Sequence, residues 1–89
     1  MKLFDNEYVI HQVYGYAVIF SSYGYTYEDP YYPDGYGPVC KFCVIHGDQE
    51  RGPGNPPVGG YFCDVSQAYD ECLRIGLAAF DAHLAAEEV

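Results

Sequence analysis

Apolar positions along this chain follow two periods. Residues 8–22, YVIHQVYGYAVIFSS, are dense in Tyr, Val, Ile and Phe and read as one long strand or two short ones, with Gly15 as the bend. Residues 39–46, VCKFCVIH, predict a second strand region, and YFCDV, 61–65, a short third. In the last third the period changes. A helix is predicted over 66–86, and Tyr69, Leu73, Gly76, Leu77, Phe80 and Leu84, with Val65 just ahead of it, fall on one stripe at helical spacing. Asp64 or Ser66 can cap this helix, and Asp64 with Gln67 has capping-box spacing. Asp70 and Glu71 follow in its first turns, on the side the helix dipole favours. Gly76 in mid-stripe predicts a close approach to the sheet.

Between these elements lie two long connections. Residues 47–60, GDQERGPGNPPVGG, are loop by their proline and glycine content, and their position between strand regions makes them a connector. Residues 23–38, YGYTYEDPYYPDGYGP, form a second loop that concentrates tyrosine and acid, with a Pro-Asp-Gly turn at 33–35. The expected architecture is one α+β domain, a small antiparallel sheet of three to four strands with one C-terminal amphipathic helix on one face.

Strand parity sharpens this picture. Cys40, Phe42, Val44 and His46 share one face of their strand; Val39, Lys41, Cys43 and Ile45 share the other. In the first region Tyr14, Tyr16, Val18 and Phe20 oppose Val13, Ala17 and Ile19. Neither strand has a clean polar face, as a sheet with one wet side should. One helix covers one side, so the other needs a cover. The tyrosine-rich loop, a second copy of the chain and a partner protein are the three candidates.

Charge narrows the partner. Thirteen Asp and Glu against four Lys and Arg in 89 residues give a net charge of −9. That balance argues against direct binding to nucleic acid or anionic membrane and favours a basic protein surface. A solvated acidic surface with no partner is the plainer reading. Asp5 and Glu7 follow Met1 too closely for a secretory leader, and the longest useful apolar run, 17–20, cannot span a bilayer. The expectation is a soluble, cytoplasmic protein with reduced cysteines.

Candidate chemistry is sparse. Cys40, Cys43 and His46 form C-x2-C-x2-H, and Cys63 with them makes a zinc module the alternative reading. A strand, however, sends Cys40 and Cys43 to opposite faces, and a redox C-x-x-C needs a helix N-terminus. Reduced core thiols are the expectation for the cysteines, with a disulfide beside zinc as the lesser alternatives, and Cys72 sits at the edge of the helix stripe. A Cys43–His46 couple would need a distorted strand, and His83 flanks the helix stripe as a structural histidine. The glycine-rich 52–60 stretch lacks the Lys and Ser/Thr of a phosphate loop. The paired acids, Glu28–Asp29 and Asp48 with Glu50, lack calcium-loop spacing. No enzyme and no cofactor is expected. Recognition is: Tyr25, Tyr27, Tyr31, Tyr32 and Tyr36 would supply contact area, and Glu28, Asp29 and Asp34 would steer a basic partner. The same tyrosines could instead serve as cover for the open sheet face.

The ending GGYFCDVSQAYDECLRIGLAAFDAHLAA, residues 59–86, resembles in layout several of the small anti-CRISPR inhibitors that phages encode: an aromatic strand, a capped turn, then an Ala-rich helix. The resemblance covers the last third and transfers no functional residue. It implies a mode of action: stoichiometric binding to a CRISPR effector subunit or nuclease in the host cytoplasm, with carboxylates standing in for phosphates as a DNA mimic, or steric blocking of a subunit. A homodimeric accessory protein with paired sheet faces is the further alternative, so monomer and homodimer both stay open.

Overall fold

A computed structural model describes residues 1–26, 39–52 and 54–87. Four strands, β1 (Glu7–Val13), β2 (Tyr16–Tyr25), β3 (Cys40–His46) and β4 (Gly60–Phe62), precede one helix, α1 (Val65–Glu87). The strands form one antiparallel sheet in the order β1-β2-β3-β4, each paired with its neighbour in sequence. The expected α+β class is what the chain adopts.

Region 8–22 is two strands. Tyr14 and Gly15 both take positive φ, +45° and +84°, the signature of a two-residue hairpin turn whose twist matches the flanking strands. That turn changes one expectation. Val13 pairs with Tyr16, so the two share a face, and Val13 packs on the helix side rather than opposite Tyr16. Parity runs only within a strand, and the hairpin resets it.

Both faces of the sheet are apolar and both are covered. On the helix side Val18 and Val44 bury against Ala68 and Cys72, with Val13, Tyr16, Phe42 and Phe62 around them. Asp64 caps α1: its Oδ1 accepts from the Ser66 amide at 2.9 Å and the Ser66 hydroxyl at 2.8 Å. These bonds hold the Asp64 carboxyl below its ordinary range. The first turn carries no acid of its own, so the cap alone answers the dipole there.

The helix seam differs from the expected stripe. Ala68, Cys72 and Gly76 are the buried positions, and Cys72 sits at the centre of the seam rather than at its edge. Leu73, Leu77, Phe80 and Leu84 are 47, 48, 40 and 41% exposed. Gly76 decides which row goes inward. A Cβ there would lie 2.6 Å from the Val13 carbonyl oxygen and 2.5 Å from its Cγ1, so the helix rests on β1 through a position that only glycine fills. Small residues let the backbones approach, and the large apolar row turns aside.

The second face holds Ala17, Ile19, Cys43 and Ile45, with Val9, Tyr25 and Tyr61 packed against them. Its cover includes the N-terminal residues before β1 and the 47–60 connector. The Arg51 guanidinium lies 5.0 Å over the Phe4 ring and donates to Glu7 at 2.6 Å. None of the three covers foreseen for this face included these two segments.

Candidate functional site

The first candidate lies on that second face. Glu7 opens β1 and points inward, 4% exposed. Its Oε1 accepts from the Phe4 amide at 2.9 Å. Its Oε2 accepts from Arg51 Nη2 at 2.6 Å and from the Tyr25 hydroxyl in a short bond. Arg51 also donates to the Lys2 carbonyl at 3.0 Å. The Cys43 thiol donates to the Tyr25 hydroxyl at 3.4 Å. Residues from four parts of the chain, the N-terminal segment with β1, then β2, β3 and the connector, thus meet in one charge-neutral cluster.

Electrostatics follow from the geometry. Burial pushes the Glu7 carboxyl up, but the Arg51, Phe4 and Tyr25 hydrogen bonds and the Arg51 charge outweigh it and hold the group below its ordinary range. Burial, with the Cys43 and Glu7 contacts, drives the Tyr25 hydroxyl far upward. Burial likewise raises the Cys43 and Cys72 thiols. A raised, buried thiol is a poor nucleophile. Beside the cluster is a pocket of about 210 Å³ lined by Phe4, Tyr25, Arg51, Asn55, Pro57 and Tyr61, among others. Its polar edge is already engaged: Arg51 is held by Glu7.

The residues expected in chemistry are dispersed. Cys40 is disulfide-bonded to Cys63, with Cα atoms 4.3 Å apart. This corrects the expectation of reduced thiols at those two positions. The pairing depends on β3 and β4 being neighbours, which linear spacing does not reveal. Cys43 and Cys72 carry free thiols, both buried and in different cores. Cys40, Cys43, Cys63 and His46 therefore do not converge: two are bonded to each other, Cys43 faces Tyr25, and the His46 ring packs on Tyr16. Among the described residues, no group of three or more Cys, His, Asp or Glu is placed to hold a metal. His11 packs edge-on against Tyr69, and His83 pairs with Glu87 at 2.8 Å.

Of the tyrosine–acid stretch, Tyr25 lies in β2 with its hydroxyl engaged by Glu7 inside the fold. Tyr27, Glu28, Asp29, Tyr31, Tyr32, Asp34 and Tyr36 lie outside the described residues. Sequence reasoning missed Glu7 and Arg51. The available signal was scarcity: four basic residues in the chain, one of them alone in a glycine–proline connector.

The second candidate is the exposed row on α1. Leu73, Leu77, Phe80 and Leu84 run along the helix beside the seam, and the Phe80 ring meets Tyr14 edge-on at 5.3 Å. Asp70 and Asp81 are exposed on the same helix, and Arg74 is held in an ion pair by Glu71.

The chain defines a small α+β layer, and no helix in its described part is long and apolar enough to cross a membrane. Compared with models of known families, with characterised proteins and with solved structures, it matches none.

Proposed function

We propose that this protein acts without catalysis, by docking on a basic protein surface and occluding it. Nucleic-acid-handling defence complexes, CRISPR effectors among them, are the target class its charge fits. The observation that carries the reading is the balance of charge after folding. Two of the four basic side chains, Arg51 and Arg74, are held by the chain's own Glu7 and Glu71. The acid excess of a −9 chain is therefore presented with little basic surface to offset it. A surface that competes with phosphate needs that sign, and proteins that bind nucleic acid carry the complementary one.

The dispersal of Cys43, His11, His46 and His83 supports a binding role over a hydrolytic or redox one. Tyrosines and acids at 27–36 remain partner contacts under this reading. The test is association with a purified CRISPR effector at low and at physiological salt. Stoichiometric binding that weakens with salt and reduces the effector's nucleic-acid binding is expected, and Tyr31→Ala with Tyr32→Ala should weaken it. Absence of binding at low salt would overturn the proposal.

A further inference from the structure

We propose that the Leu73–Leu77–Phe80–Leu84 ridge of α1 is a docking surface for a basic amphipathic helix of a partner protein. The inference rests on the binding role proposed above and deepens it by naming the surface and the form of the occupant.

Three observations carry it. The first is that large apolar side chains stand outside while small ones pack inside. Ala68, Cys72 and Gly76 make the seam, and the four ridge residues are 40–48% exposed. Burying Leu or Phe stabilises a fold, yet this one uses its helix to present them. The cause is fixed by Gly76: the helix can approach Val13 only along its small-residue row. The ridge is left over by close packing, not by an incomplete core.

The second is spacing. The ridge steps by four, three and four residues, over roughly 17 Å of helix at 1.5 Å per residue. That is the spacing at which one helix offers a seam to another. An extended peptide reads alternate positions and would find no matching row.

The third is charge. Asp70 and Asp81 flank the ridge on the side turned away from the seam, and Arg74 beyond them is held by Glu71. Two copies meeting ridge to ridge would bring together acidic rims of molecules that each carry −9. A helix with aliphatic residues on one face and lysine or arginine beside them meets the ridge with apolar contact and the rim with opposite charge.

The probe is a synthetic peptide of about 18 residues, Leu at i, i+3, i+4 and i+7 and Lys elsewhere, with a control in which Ser replaces Leu. Amide shifts in a two-dimensional NMR titration should cluster at 73, 77, 80 and 84. The control peptide should bind at least about tenfold more weakly, and Leu77→Glu with Leu84→Glu should cost a similar factor. Asp70→Asn with Asp81→Asn should weaken binding about two- to fivefold and flatten its salt dependence. The ridge variants are surface changes, and an unchanged melting temperature verifies that they fold.

Equal binding of both peptides, or shifts centred away from α1, overturns the ridge as the surface while leaving the basic-partner reading standing. A dimer in sedimentation equilibrium that Leu77→Glu dissociates overturns the partner helix in favour of a second copy. No binding of either peptide at low salt overturns the ridge as a docking surface, and the effector titration then decides the basic-partner reading on its own.

Discussion

At the residue scale, Glu7 and Arg51 matter most for stability. Glu7 is buried with a formal charge, and three donors converge on it. Removing one partner of a buried pair leaves the other uncompensated, so Glu7→Gln or Arg51→Met should cost about 3 kcal/mol in urea denaturation. The pH dependence has a definite sign. The Glu7 carboxyl is held below its ordinary value of 4.5 in the folded state by its hydrogen bonds and the Arg51 charge, which outweigh burial. Its contribution is therefore complete above 4.5 and lost as pH falls through the lower folded value. Thermal melts below pH 4.5 should show a falling acid limb for the native protein and a flatter one for Glu7→Gln. Identical limbs would remove Glu7 from this role. Gly76 is the second such position. Alanine there gains up to about 1 kcal/mol of helix propensity but meets the Val13 backbone, and overpacking costs about 1–3 kcal/mol. Gly76→Ala should be net destabilising by chemical denaturation; a stabilised variant would show that the helix can stand off at no cost.

At the element scale, the disulfide ties β4 to β3. β4 is three residues long and pairs through Phe42–Phe62, Cys43–Tyr61 and Val44–Gly60. Such a strand has few hydrogen bonds to hold it, and α1 starts three residues after it. Cys40–Cys63 closes a connection of sequence separation 23, and a bridge of this span is worth about 3 kcal/mol. Denatured protein without reductant should react with two equivalents of a thiol reagent, at Cys43 and Cys72, and with four after reduction. Four before reduction would mean that the bridge does not form. The elements show where the sequence could and could not be read. Strand positions and the Asp64 cap were legible, because each depends on neighbours a few residues away; Gly76 was legible only as a glycine set in an apolar helical stripe, not for the residue it meets. The helix face was read by residue size, and that put Leu73, Leu77, Phe80 and Leu84 inward. What turned the helix was Val13, 63 positions distant in the chain from Gly76, and no local period carries that information.

At the scale of the whole molecule, the sequence showed a sheet with two apolar faces and one helix. It did not show what lay on the second face. The N-terminal residues and a connector rich in glycine and proline have no period at all, so their cover was invisible until Phe4, Glu7 and Arg51 were seen together. The same holds for the candidate site. Tyrosine and acid were conspicuous in the sequence, whereas the ridge emerged only once the helix had a direction. Net charge, by contrast, is a property of the chain as a whole and passes from sequence to molecule unchanged. Under the two proposals above, charge would set the class of partner and its rate of arrival, and the ridge its shape.

The two borders of the sheet have a consequence of their own. β1 carries an irregularity between Val9 and His11, and β4 offers three residues. A kinked border twists away from a straight incoming strand, and a very short one gives it little to grip. A chain of this composition, apolar on both sides of its sheet, would otherwise be a template for open-ended stacking of one molecule on the next. Among the described residues its border strands are kinked or short where such growth would begin, on the same molecule that shows apolar surface on its helix.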